Sequence, residues 1–480
     1  MPKVLRLVGI AAAVVGVSVA ILYGLGMRVV LLGGGRPSIE FAQSADAQAD
    51  AIAQHRAAQA AVPEPNPTPA ADAPSPASTD SAPAAVGISM APDWGFFRGM
   101  RWDGHYTGLP VRTEWPNGQL TPLWKQPVGG GYASFVTARI GDRDTAFTIE
   151  QRGRTEVVAA YDVSNGRELW TNTWNAEFRE SMGGDGPRAT PTYHDGRIYA
   201  LGGTGELRSI DASTGTTAWR TNILSDAGAS NIEWGMSASP LIVDDAVVTF
   251  PGGRGGKSVV AYNHRTGARL WSSLDDKQSY SSPMLVTIDG VRQILTVSAS
   301  RIMGLNPTNG ALLWEFPWQT MYDVNAAQPI VLGSNRVFMS SGYDHGAVVI
   351  EVAMAGERGT VREIWKNNRM KNQFTSSVHH EGYIYGLDEN ILACVDANTG
   401  ALQWKGGRYG HGQIVLASGH IIVLTESGEL ALVKADPSRH IELANFPAIE
   451  GKTWNHPAFS NGRLLVRNLR EMAAFDLRVQ

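Results

Sequence analysis

"SIDASTGTTAW" (209–219) carries Asp211, a glycine four positions later at Gly215, and a tryptophan four beyond that at Trp219. A strand that ends at the aspartate gains a side chain able to bond backbone amides in a turn. Glycine supplies the positive φ that other residues resist. A tryptophan on the returning strand can fill the space between neighbouring sheets. The stretch therefore reads as a hairpin. The same spacing recurs in "AAYDVSNGRELW" (159–170), "AYNHRTGARLW" (261–271), "GLNPTNGALLW" (304–314) and "CVDANTGALQW" (394–404). The anchors there are Asp162, Gly166 and Trp170; Asn263, Gly267 and Trp271; Asn306, Gly310 and Trp314; and Asp396, Gly400 and Trp404.

Weaker copies fill the gaps. Trp365 in "VREIW" follows a longer insertion, and "VKADPSRHIELANF" keeps Asp436 and ends in Phe446. With Trp124, the outer-strand aromatics then fall 39 to 52 residues apart, the length of one four-stranded propeller blade. The last repeat ends at "AAFDL" (473–477) without an outer strand, and Trp124 in "LTPLWKQPV" (120–128) has no three strands before it. The strand around Trp124 is therefore expected to complete the final blade and close the ring. The predicted fold is an all-β, eight-bladed β-propeller over 93–480. Seven blades is the alternative if one degenerate copy fails. Trp124, Trp170, Trp219, Trp271, Trp314, Trp365 and Trp404 are the structural repeat tryptophans.

Upstream of the repeats the composition changes. Lys3 and Arg6 precede an apolar run from Leu7 to about Leu32, broken by Arg28. It is long enough to span a bilayer, which takes about 20 residues. No convincing small-x-small cleavage site follows it. Residues 1–36 are expected to be an uncleaved single-pass anchor, crossing at about 7–32, with the propeller in the periplasm or outside the cell. Residues 37–92 are rich in Ala, Pro, Ser and Asp. With few large apolar side chains, they are expected to form a disordered tether. The single cysteine, Cys394, excludes an internal disulfide and a cysteine zinc site. It also excludes a lipidated cysteine behind the signal segment. A net charge of −4 gives nucleic-acid binding no support.

The Asp-x-x-x-Gly-x-x-x-Trp turn resembles the tryptophan-docking motif of PQQ-like (pyrroloquinoline quinone) propellers. That superfamily includes quinoprotein alcohol dehydrogenases and BamB-like outer-membrane-assembly proteins. The lead-in "WGFFRGMRWDGHYTG" (94–108) is similar to the start of many uncharacterised bacterial members. The resemblance covers roughly 94–477 and speaks for the fold more than for activity. Family dehydrogenases carry a vicinal cysteine pair over the quinone, which one cysteine cannot supply, and their calcium-ligand and catalytic-aspartate segments find no match. No cofactor is expected, PQQ included. BamB proteins are lipoproteins, and this chain lacks the lipidation cysteine.

Five inner strands are expected to start at a small or polar residue before proline: "RATP" (188–191), "SASP" (237–240), "SSP" (281–283), "AQP" (327–329) and "NHP" (455–457). The segments leading into the inner strands would open at one face. These are "GGDGPR" (183–188), "EWG" (233–235), "QSYSS" (278–282), "YDVN" (322–325), "RYGHGQ" (408–413) and "KTWN" (452–455). Asp185, Arg188, Glu233, Trp234, Tyr280, Asn325, Gln328, Arg408, Tyr409, His411, Trp454 and Asn455 are the candidate ligand- or partner-binding residues at that mouth. Their mix of charge, amide and aromatic ring suits a polar ligand or a peptide loop. Glu150 and Arg152, at an adjacent strand end, either join them or are structural.

No catalytic signature stands out. The eleven histidines lack metal spacing, no carboxylates pair as acid and base, and "GGRGG" (252–256) lacks the Lys-Ser/Thr end of a phosphate loop. The sequence favours a binding or protein-interaction scaffold with a membrane or envelope protein partner. The alternative is a divergent quinoprotein-type oxidoreductase or a ligand-binding sensor that uses the channel mouth.

Overall fold

The computed structural model describes residues 21–22, 27–33, 36–41, 44–61 and 94–479. Eight antiparallel sheets form the blades of one propeller. Blade 1 runs, from the channel outwards, through Val136–Ile140, Arg143–Arg152, Thr155–Asp162 and Glu168–Asn175. Blades 2 to 7 follow in chain order and begin at Thr192, Leu241, Met284, Ile330, Val378 and Gln413. Blade 8 takes Ala458–Ser460, Arg463–Arg467 and Glu471–Asp476 from the end of the chain and Pro122–Pro127 from its front. Trp124 pairs with Ala474 and Pro127 with Glu471, so the ring closes as the repeat count required.

The docking turn accounts for the blade-to-blade seams. The Trp219 indole N–H donates to the His264 carbonyl of the next blade at 2.8 Å. Trp124 donates likewise to Val163, Trp170 to Ala212, Trp365 to Ala397 and Trp404 to Asp436, at 2.8 to 3.1 Å. Each of these acceptors is the turn aspartate or the residue after the turn Asp or Asn. The glycine of the next turn lies flat against the ring. A Cβ on Gly215 would come within 2.7 Å of Trp170, and Gly215 has φ 73°. The motif thus needs its glycine twice, for the backbone angle and for the space. Trp314 departs from the set. Blade 5 carries the long Gly346–Ala355 and Arg358–Asn367 strands, and Trp314 donates instead to Gln293 within its own blade.

Hydroxyls at the inner strand starts tie neighbouring blades around the channel. Ser134 N–H donates to Thr190 Oγ1, Ser239 N–H to Ser282 Oγ and Gln328 N–H to Ser376 Oγ, at 2.9 to 3.0 Å. Thr190 and Ser282, each before a proline, thus act as inter-blade acceptors in a crowded ring. Several inner hairpins turn at pairs such as Asp195-Gly196, Asp289-Gly290 and Asn461-Gly462 with both φ positive, the geometry that matches strand twist.

The N-terminal expectations need correction. Met27–Leu32, inside the expected membrane span, is a strand paired with Arg36–Phe41. Residues 1–20 and 23–26 lie outside the described residues, and no described helix is long and apolar enough to cross a membrane. Within the expected tether, Ala45–Ala61 is a helix. Its alanines favour that state, and Ser44 Oγ accepts the Ala47 N–H at its start. It docks on the closing seam. Ile52 is buried, and Gln48 Nε2 donates to the Val128 and Leu469 carbonyls at 2.9 and 2.7 Å. Arg56 donates to Gln126 Oε1 and the Pro127 carbonyl. The prolines that speak against order lie from Pro63 onward. The alanine-rich half before them orders through propensity and docking. Residues 62–93 lie outside the described residues.

Candidate functional site

The lead-in Trp94 to Tyr106 forms a floor across the channel. The Trp94 carbonyl accepts Thr137 N–H in blade 1, and the Gly95 carbonyl accepts Tyr193 N–H in blade 2. Arg98 donates to the Ser377 carbonyl beside blade 6 at 2.7 Å, and the Gly104 carbonyl accepts Leu416 N–H in blade 7. Trp102 packs against the clusters between blades 3 and 4 and between blades 4 and 5. Phe97 lies edge-on to His456 at 5.7 Å, and both line the space above. Burial and the nearby Arg98 push His456 down to about 3, so its ring is neutral packing.

Above this floor lies a cavity of about 880 Å³ that opens at the face where the inner strands begin. Aromatic rings dominate its wall. Tyr132 stacks on Trp454 at 5.2 Å, and Phe374 meets Trp454 at 4.5 Å. Trp234 tilts onto Tyr280 at 5.7 Å, and Tyr322 meets Tyr343 edge-on at 5.7 Å. Tyr322, Asp323, Tyr343 and Asp344 all have φ between 56° and 65°. A left-handed backbone at a tyrosine is uncommon and costs about 1–3 kcal/mol. Tyr322 is 67% exposed and so presents its ring to the outside.

Of the twelve residues expected at the mouth, Arg188, Glu233, Trp234, Tyr280, His411 and Trp454 line the cavity. Arg188 donates to the Gly184 and Gly186 carbonyls and lies over the Phe178 ring at 4.4 Å. It holds the 178–188 loop while facing the cavity. Burial lowers its pKa, opposed by the Tyr132 hydroxyl, Glu180 and Asp185.

The other six lie elsewhere. Asn325 is fully buried, donating to the Ser298 and Trp318 carbonyls and accepting from Ser341. Asn455 donates to the Gly131 and Ala133 carbonyls, and Gln328 to the Ser282 carbonyl. Tyr409 is buried between blades against His440 and Glu442. Asp185 accepts the Glu180 N–H inside its loop, and Arg408 ends an outer strand, exposed. Buried amides satisfy strand-start carbonyls well because they can donate twice. Glu150 and Arg152 are also structural, paired with each other and with Tyr161 and Glu168 beside the docked helix.

Sequence reasoning missed Tyr132, Tyr322, Tyr343, Gln373 and Phe374 in the wall. It also missed Glu426, which sits beneath the rim. Glu426 Oε1 accepts the Trp454 indole N–H at 2.8 Å and the Gly33 N–H at 2.6 Å, and His411 Nδ1 lies 3.9 Å from its other oxygen. Burial alone would raise its pKa. The neighbouring His411, the Gly33 N–H and the Trp454 indole outweigh burial and hold it at about 2, so a carboxylate stands at the rim.

The family described as outer membrane protein assembly factor BamB matches residues 153–406, just over half of the chain. This protein belongs to the BamB family of PQQ-like propellers. The resemblance drawn from its docking turns is borne out. A BamB from Yersinia pestis is 24% identical over 318 residues, covering 62% of this chain and 75% of the relative. The solved BamB of Moraxella catarrhalis covers 75% of this chain and 99% of its own at a TM-score of 0.52 and 15% identity. The quinohemoprotein alcohol dehydrogenase of Comamonas testosteroni covers 81% of both chains at 0.55 and 13%, a likeness of fold alone. The BamB match includes Arg188, Trp234, Tyr280, Tyr322 and Phe374 of the mouth. Tyr132, His411, Glu426 and Trp454 lie outside it, so the rim around Glu426 is built by residues beyond the family match.

Proposed function

We propose that this BamB-family propeller is an interaction scaffold of the bacterial envelope, which takes a loop of a partner protein into the mouth of its channel. The observation that carries the reading is the combination at one face. A wide aromatic wall stands above a floor made of the chain's own lead-in. Aromatic side chains and arginine supply much of the energy of protein interfaces, and Tyr322 stands exposed at this wall. The relatives are assembly factors for outer-membrane proteins by name, which favours a partner from that machinery and a periplasmic place for the propeller. The apolar run behind Lys3 and Arg6 would keep it near a membrane.

The reading leaves out quinone redox chemistry. Cys394, the only thiol, is buried in blade 6 opposite Trp404, away from the cavity. Among the described residues no three histidine, cysteine or carboxylate groups come together to hold the cation that the quinone chemistry of family dehydrogenases uses.

Photoreactive residues placed at Tyr343 and Gln373 in the cavity wall, and at the exposed Leu270 on an outer strand, test the reading in living cells. Cross-links from the wall positions alone to an outer-membrane assembly protein would support it. Equal cross-linking from Leu270, or none from the wall, would overturn it.

A further inference from the structure

The rim of the mouth already holds the end of a hairpin, and that hairpin comes from the chain itself. Met27–Leu32 and Arg36–Phe41 form a hairpin whose tip begins at Gly33. The Gly33 N–H donates to Glu426 Oε1 at 2.6 Å, beside the Trp454 indole N–H on the same oxygen. Glu426 and His411 are almost fully buried beneath it. The fit excludes any side chain. A Cβ on residue 33 would fall 1.9 Å from His411 Nδ1 and 2.1 Å from its Cγ. Leu32 lines the cavity beside Gly33, and Val30 lines the adjoining cleft with Gly183 and Lys452.

Two observations suit an occupant that can exchange. The hairpin is a separate two-stranded sheet, paired with no blade. Such ribbons are marginal in water without a surface to hold them. Its outward pair, Val29 and Ile39, is 62% and 65% exposed, so the sheet gains little burial on that side. At the tip, one amide meets a buried carboxylate, one glycine meets an imidazole and one leucine lines the wall with the rings. None of these features depends on the turn's belonging to this chain. A hairpin from another protein, with glycine at the tip and a leucine-sized residue before it, meets the same three requirements.

We infer that the channel mouth is a receptor for a glycine-tipped β-turn, built from Glu426, His411 and Trp454, and that the chain's own hairpin is its resident ligand. A partner's turn must displace it, so the hairpin sets a threshold for partner binding. The tethered turn competes at the high effective concentration of an intramolecular ligand, which the untethered partner must exceed. The inference rests on the reading of the mouth as a loop-binding site.

The test uses the full chain and a labelled synthetic peptide of residues 27–41, followed by fluorescence anisotropy. In the Gly33→Val chain the resident tip cannot seat and the mouth is vacant. That chain is expected to bind the peptide at least about tenfold more tightly than the wild-type chain, a shift of about 1.4 kcal/mol. The same peptide carrying Gly33→Val should not bind. Adding Glu426→Gln to the Gly33→Val chain should lose at least about tenfold again. Equal binding to the two chains, no binding to either, or indifference to Glu426→Gln would overturn the inference. Hydrogen exchange guards against a variant that misfolds. In the Glu426→Gln chain, segment 27–41 should exchange faster while blade strands such as Ile384 to Leu387 keep their protection, and unchanged exchange of 27–41 would count against the site. The two readings fail separately: the peptide assay reports the turn receptor, and the wall cross-links report the envelope partner.

Discussion

The indole of Trp219 lies against Gly267 of the next blade, so close that a Cβ there would be 2.8 Å from the ring, while its N–H donates to the carbonyl of His264. Trp219 is 9% exposed and also packs on Tyr199 in its own sheet. It therefore acts as a wedge between blades 2 and 3. Trp219→Ala should cost about 3–5 kcal/mol, the range for truncating a buried aromatic. Denaturant unfolding checks this. A loss below about 1 kcal/mol would mean that the seam does not depend on the docking turn.

The pH dependence of stability has an identifiable source between blades 1 and 2. Glu156 is buried, and burial raises its carboxyl to about 7 although the Gly203 and Trp174 N–H groups pull it down. The folded chain thus holds a proton that the unfolded chain has released over the window from about 4.5 to about 7. Stability from this group is greatest below that window, falls as pH rises through it, and is level above it. The fall is bounded at about 3 kcal/mol. Thermal midpoints of the wild type and Glu156→Gln, measured from about pH 5 to about pH 8, should converge at one end and diverge at the other. Parallel curves would rule Glu156 out as the source.

The docked helix is expected to behave as a separable clasp. Ile52→Ala removes its buried anchor and should weaken docking by about 2 kcal/mol, roughly thirtyfold in the docked-to-free ratio. Limited proteolysis should then cut within 45–61 faster while the propeller's thermal midpoint stays put, as expected of a local opening. An equal drop in the midpoint would show that the helix unfolds only with the whole ring.

The repeat made the fold legible because its three residue types each answer one physical demand. Asp211 orders a turn, Gly215 takes the positive φ and leaves room, and Trp219 fills a seam. Closure by the strand at Trp124 followed from counting. The site was legible only in part. Arg188, Trp234, Tyr280 and Trp454 were found because they precede inner strands. Asn325, Gln328 and Asn455 occupy the same register, but their amides turn into the ring and satisfy backbone carbonyls. Position in the repeat cannot separate these two outcomes, since both want a polar side chain there. Tyr322 stood inside a quoted segment and was passed over, because nothing in the sequence marks its left-handed backbone. Glu426 was out of reach, since its role depends on a turn nearly 400 residues away in the chain.

A mouth that takes a loop of an outer-membrane assembly protein, as proposed above, should affect the β-barrel proteins of the outer membrane. The most direct measurement is the content of β-barrel proteins in outer membranes of cells that lack this protein, with the wild type or the Arg188→Ala/Trp454→Ala variant returned. We expect a deficit that the wild type restores and that the variant, at equal abundance and with an unchanged fold by circular dichroism, restores far less, because two interface anchors are lost. Full restoration by the variant, or normal barrel content in cells without the protein, would contradict it.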